Sequence, residues 1–204
     1  MKEGADDLPD GRGAAGILAF SGSSSRSSLN SRLLDAAVGA IAALDADVSL
    51  LDLRDLELPL FDPDSPPRDW PMGVRIFRQL LAAHDGFVIA TPEYNGSLPP
   101  LLKNALDWSS MASGGSSSLA PYRGKVAAIM SVTVGDRPSA YGLSHLRAVL
   151  STMGVFVLPD ELSLSSADAF ANGGLCGVAI DGLQCQMAAL VGELRSPRLW
   201  IDAS

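Results

Sequence analysis

The sequence predicts an α/β fold, a doubly wound three-layer sandwich around a five-stranded parallel sheet in the order 2-1-3-4-5. Three observations predict it. Short, continuous apolar runs bounded by turn residues, Gly16 to Phe20 and Gly86 to Ala90 among them, read as strands buried on both faces. Stretches with helical apolar spacing separate such runs, and because crossovers between parallel strands are right-handed, the intervening helices cover both faces of the sheet. Finally, each of the two named runs leads into a polar loop, Gly22 to Asn30 and Thr91 to Gly96. With the named runs as first and third strands, that order sets both loops at the point where the winding reverses, which is where open α/β sheets bind ligands.

The elements follow in chain order. After the first strand and its loop, Leu29, Leu33, Leu34, Ala37, Ile41 and Leu44 fall on one side of a helix. Asp47 to Asp52 reads as the second strand, and Leu58 to Asp64 as a loop stiffened by Pro59 and Pro63. A helix around Gly73 to His84 turns Val74, Phe77 and Leu81 inward, ahead of the third strand. The next helix, about Pro99 to Ser110, opens on proline, which costs nothing in a first turn whose N–H groups have no partner anyway. Ala112 to Ser118 is a Gly- and Ser-rich connector. Lys125 to Val132 reads as the fourth strand, Tyr141 to Met153 as a helix, Val155 to Leu158 as the fifth strand, and Ile180 to Leu194 as a last helix covering the sheet.

Composition narrows the function classes. A chain of 204 residues with 47% hydrophobic and 19% charged residues suits one globular domain with buried strands, spanning residue 15 to the end after a loose Gly-, Asp- and Ala-rich tail over residues 1–14. A formal net charge of −8 disfavours nucleic acid and anionic bilayers as partners, and no basic patch offsets it. The two cysteines, Cys176 and Cys185, stand in no metal or redox spacing, so neither a disulfide scaffold nor a metal site is expected. With no export signal and no apolar stretch of bilayer length, a cytoplasmic location is expected.

The two loops suit different parts of one ligand. The first is rich in hydroxyls and runs straight into a helix, so short donors and unpaired backbone N–H groups gather where a phosphate dianion can sit. It lacks the three glycines of a dinucleotide fingerprint, and no triphosphate-binding loop occurs in the chain, so a single terminal phosphate is the better match. A serine-rich turn with a helix N-cap accounts for the same residues without a ligand. In the second loop Pro92 and Gly96 stiffen and bend the backbone, while Glu93, Tyr94 and Asn95 offer amides, a flat ring and polar side chains to a planar heterocycle. A plain turn carrying a packed aromatic is the alternative there.

On these residues, on Leu58 to Asp62, and above all on Pro92 to Trp108, the chain resembles the NADPH-dependent FMN reductase family of flavodoxin-like proteins, which includes quinone, azo-dye, chromate and iron reductases. The likeness runs from about Gly16 to Leu194. It implies FMN as cofactor and NADPH or NADH as co-substrate. It also implies that Ser23, Ser28 and Asn30, with neighbouring Leu29, hold the phosphate, and that Pro92, Glu93, Tyr94, Asn95 and Gly96 border the ring. The family commonly has arginine at the fourth position of its Gly-Ser-x-Arg motif, where this chain has Ser25, with Arg26 one place later; either Arg26 reaches the phosphate, or hydroxyls and helix amides suffice. After the fourth strand the family tends to glycine where this chain has Val134-Gly135-Asp136-Arg137, and Ser131 and Gly135 are the expected flavin neighbours there.

The implied chemistry is hydride transfer from nicotinamide to flavin and then electron transfer to a quinone, azo, metal-oxyanion or free-flavin acceptor. Since the cofactor carries it, no catalytic acid, nucleophile or metal is required. His84 and His145 accordingly read as surface or packing residues, and Trp108, Leu101 and Leu102 as core or interface. The resemblance further implies a homodimer or dimer of dimers, with Phe61 either reaching a neighbour or folded against its own chain. Two other classes use the same fold: an electron carrier without nicotinamide turnover, and a non-catalytic FMN-binding regulatory protein. Carriers usually sandwich the flavin between aromatics from two loops, and the first loop here has none.

Overall fold

A computed structural model describes residues 15–112, 118–135, 137–139 and 141–196. The expected N-terminal tail, most of the Gly/Ser connector, and Asp136 lie outside the described residues. The first half runs β1 (Gly16–Ser21), α1 (Leu29–Ala42), β2 (Asp47–Asp52), α2 (Met72–Ala83), β3 (Gly86–Ala90), α3 (Pro100–Ser109) and β4 (Val126–Thr133). Then follow α4 (Gly142–Thr152), β5 (Phe156–Val157), β6 (Leu162–Ser165), a short α5 (Ser166–Ala169), a hairpin of β7 (Phe170–Ala171) and β8 (Gly174–Leu175), and α6 (Gly177–Arg195). The main sheet has the order β2-β1-β3-β4-β5 with every pairing parallel.

Strand alternation makes the three layers. Ile17, Ala19, Val88, Ala90, Ala128 and Met130 pack under α1 and α6, while Leu18, Phe20, Phe87, Ile89, Ala127 and Ile129 pack under α2, α3 and α4. β1 and β3 are central and their apolar residues are fully buried, as continuous apolar runs require. Leu33, Leu34, Ala37 and Ile41 are buried along α1, as their spacing predicts, whereas Leu29 and Leu44 sit at the core's margin. Gly73 is required by proximity: a Cβ there would fall 2.0 Å from the Leu56 carbonyl oxygen.

The far edge differs from the expectation of one fifth strand over Val155 to Leu158. β4 is covered there by two short strands, with β5 paired to Val126 and Ala127, and β6 paired to Met130 through Thr133. Pro159, without an N–H, lies in the break between them. The Gln186 side chain from α6 bridges that break, donating to Ile129 O and Asp160 O at 3.0 Å each. The last helix also starts earlier than expected, at Gly177, after a hairpin whose Asn172 and Gly173 both take positive φ. Among the described residues no helix is long and apolar enough to cross a membrane.

Candidate functional site

The sheet register brings the two polar loops together. β1 and β3 are hydrogen-bonded neighbours as far as Ser21 and Ala90, and Gly22 N–H then donates to Ala90 O at 2.8 Å. A Cβ on Gly22 would fall 2.7 Å from Thr91 Oγ1 and 2.9 Å from Leu102 Cδ2, so only glycine allows the loops this approach. The crevice thus opens at the carboxyl ends of adjacent central strands, at the switch point.

In the first loop, Ser28 is the N-cap of α1, its Oγ accepting from Asn30 N and Ser31 N. Ser23 is buried and its Oγ accepts from Ser25 N at 3.2 Å, which curls the loop on itself. The backbone N–H groups of Ser24, Arg26, Ser27 and Leu29 donate to no protein acceptor among the described residues. That set of unpaired N–H groups, with hydroxyls beside them at the positive end of a 14-residue helix, fits a phosphate dianion. Ser25 and Arg26 are exposed. Asp52, at the end of β2, is held below the usual carboxylate range by its hydrogen bond to Arg54, and the charge of Arg26 pulls the same way more weakly.

Asn30 has a task that the sequence does not reveal. Its buried amide lies alongside Val132, with Nδ2 donating to Val132 O at 2.8 Å and Oδ1 accepting from Val132 N at 2.9 Å. Thr91 N–H still reaches Met130 O, but the β3–β4 pairing ends at Ala90 and Met130, two residues short of Val132. Asn30 therefore completes the ladder where that strand ends and locks the start of α1 to β4. Leu29 packs at the core margin.

The second loop is a tight turn. Tyr94 and Ser97 exchange two backbone hydrogen bonds, of 3.0 and 3.1 Å, around Asn95 and Gly96, whose φ values of 52° and 76° match a type I′ turn. Pro92 and Tyr94 are half-buried and Asn95 is exposed. Glu93 does not project freely: its Oε2 accepts from Ser139 Oγ at 2.7 Å and from Tyr141 N and Gly142 N at 2.8 Å each, capping α4. Ser131 is fully buried and its Oγ has no hydrogen-bond partner, one residue before the Asn30-bound Val132. Gly135 lies on the exposed loop that follows β4.

Several residues outside the crevice find structural roles. Phe61 meets Trp108 edge-on at 5.5 Å within its own chain, and its N–H donates to Asn104 Oδ1. Trp108 Nε1 and Asn104 Nδ2 both donate to Pro59 O, pinning that loop. His84 follows α2, its ring nitrogens facing Leu80 O and Ser49 Oγ. His145, on α4, has its Nδ1 3.0 Å from Ser97 Oγ, beside the turn.

A parallel 2-1-3-4-5 sheet with facing polar loops at its switch point defines a flavodoxin-like protein. Solved structures agree: a flavoenzyme NAD(P)H:(acceptor) oxidoreductase from Paracoccus denitrificans superposes with a TM-score of 0.74 at 23% identity, covering 89% of this chain and 97% of its own. An archaeal flavodoxin gives 0.58 at 10% identity, covering 89% of this chain and 99% of its own. The chain belongs to the NADPH-dependent FMN reductase family, whose model matches residues 15–169. Among its relatives, an NAD(P)H-dependent FMN reductase of Pseudomonas aeruginosa is 33% identical over 189 residues, covering 91% of this chain and 94% of the relative. A 2-hydroxy-1,4-benzoquinone reductase of a Burkholderia species is 39% identical over 137 residues, covering 67% and 70% respectively.

Proposed function

We propose that this chain is an FMN-dependent NAD(P)H oxidoreductase that passes electrons to a small quinone-like acceptor, with the cofactor held between the Gly22 to Asn30 loop and the Pro92 to Gly96 turn. One observation carries the placement: two polar loops of complementary chemistry meet at the ends of hydrogen-bonded central strands, drawn together at Gly22. Ser23 and Ser28 hydroxyls and the unpaired N–H groups of Ser24, Arg26, Ser27 and Leu29 hold the phosphate, with Ser25 and the Arg26 guanidinium reaching it from the exposed side. Asn30 acts there through its hold on Val132. The turn from Pro92 through Tyr94, Asn95 and Gly96 borders the ring, with Ser131 and Gly135 in the layer beside it.

FMN held there would supply a two-electron relay between the reduced nicotinamide and the acceptor. The chain's own work is positioning: a stiff turn keeps a flat slot open, and a helix N-terminus fixes the phosphate end. Overall, NAD(P)H, a proton and a quinone yield NAD(P)⁺ and a hydroquinone. The named activity of the Burkholderia relative supports a quinone as the acceptor. Assembly as a homodimer is part of the same reading, and Leu60, 87% exposed on the loop pinned by Trp108, is a side chain that such an interface would cover.

The test is turnover of the purified protein reconstituted with FMN, following NADPH absorbance with 1,4-benzoquinone as acceptor. Steady FMN-dependent consumption is expected. Retained flavin with negligible turnover would instead identify an electron carrier, and failure to retain flavin would remove the cofactor site.

A further inference from the structure

The Glu93 carboxylate belongs to the loop that borders the ring, yet its hydrogen bonds reach the start of α4, 46 to 49 residues later in the chain. Gly142 is shaped for that contact, because a Cβ there would fall 2.9 Å from Ser139 Oγ and 3.2 Å from Glu93 Cβ. An anion at a helix N-terminus is favoured both by the helix dipole and by the N–H groups it pairs. The tie grips Tyr141 by its own N–H. The Tyr141 ring is 60% exposed and flanks the turn, its Cδ2 3.8 Å from where a Cβ on Gly96 would stand. A second tie, Ser97 Oγ to His145 Nδ1, joins the same two segments.

We propose that Glu93 is a positioning residue and that Tyr141 is the specificity-determining residue it positions, an aromatic wall at the mouth of the slot that favours flat, conjugated acceptors such as quinones. This rests on the functional reading above and deepens it. A planar quinone entering beside the turn gains a stacking or edge contact with the exposed ring. The phosphate loop is braced separately, by Asn30 on Val132. Acceptor recognition and cofactor affinity are therefore separable in this chain.

The experiment uses the full chain reconstituted with FMN and compares Tyr141→Ala, Glu93→Ala, Glu93→Gln and the double Ala variant. Tyr141→Ala is expected to raise KM for 1,4-benzoquinone about threefold to tenfold, the range of one aromatic contact, with kcat and FMN affinity little changed. Glu93→Ala should raise KM by a similar factor, and Glu93→Gln should recover part of it because a carboxamide oxygen still accepts. The double variant should be no worse than the worse single one, since both act through one ring. Hydrogen exchange on the apo-protein gives a readout independent of turnover: the amides of Tyr141 and Gly142 should lose protection in Glu93→Ala. Additive effects in the double variant, unchanged protection, or a Glu93→Ala variant that loses FMN affinity at unchanged KM would each overturn the proposal. A wild-type protein that binds FMN and turns over quinone, while Tyr141→Ala leaves KM unmoved, overturns this inference alone; a wild type without FMN-dependent turnover overturns both.

Discussion

Replacing Asn30 by alanine removes both hydrogen bonds to Val132 and leaves a buried N–H and a buried C=O unpaired where β3 has already left the sheet. Each unsatisfied buried group costs about 1–3 kcal/mol, so the gross penalty is roughly 2–6 kcal/mol, and partial relaxation brings the expected loss to about 3 kcal/mol. For a chain of this size that lowers Tm by roughly 6–12 °C. Asn30→Asp sharpens the reasoning. Its ionised carboxylate can accept from Val132 N but must face Val132 O, and burial also disfavours the charge, so its pKa in the folded protein rises above the unfolded value. Protonation restores a donor. A group with a raised folded pKa contributes stability below its unfolded pKa and loses it as pH climbs through the folded one, so Asn30→Asp should be near its best at about pH 4 and worsen toward pH 7 relative to wild type. Urea denaturation of the three proteins at several pH values measures both effects. Asn30→Ala within about 0.5 kcal/mol of wild type, or an Asn30→Asp penalty independent of pH, would show that Asn30 does not carry the end of the ladder.

Three further outcomes are expected. Ser28→Ala should cost about 1 kcal/mol of stability through its lost N-cap and weaken FMN binding about 10- to 150-fold through a lost bond to a charged group, as fluorescence titration of FMN will show. Gly22→Ala should drive a methyl into Thr91 and Leu102, costing about 1–3 kcal/mol in thermal unfolding and more than tenfold in FMN affinity. Burial pushes the Tyr122 phenol well above its ordinary value of 10.0, opposed in part by its hydrogen bond to Ser109. Because that pKa is raised in the folded state, stability should fall as pH rises beyond the ordinary phenol range, by up to about 1.4 kcal/mol per pH unit, and Tyr122→Phe should abolish that fall.

The central fold was legible because its signals are local. β1 and β3 announce themselves as apolar runs between turn residues, and the leucine spacing of α1 specifies the face it buries. Asn95-Gly96 likewise carries its turn within two residues. What the sequence concealed are side chains that replace missing backbone partners across long separations. Asn30 bonds a residue 102 positions away, Gln186 reaches Ile129 across 57, and Glu93 caps a helix that begins 49 positions later. Nothing near these residues signals such roles, since each depends on where another strand or helix arrives. The split edge is of the same kind: Leu162 to Ser165 alternates like a half-buried strand, but only the parallel register with β4 shows that it continues the sheet beyond Pro159. For the site, the loops were readable as a pair, whereas the Glu93 grip on α4 depends on where that distant helix begins.

A crystal structure of the protein with FMN bound is the most direct measurement of the account. It should place the phosphate against Ser23, Ser28 and the N–H groups opening α1, with the ring along Pro92 to Gly96 and Tyr141 at its open side. Flavin seated elsewhere, or a phosphate with no contact to the Gly22 to Asn30 loop, would contradict it.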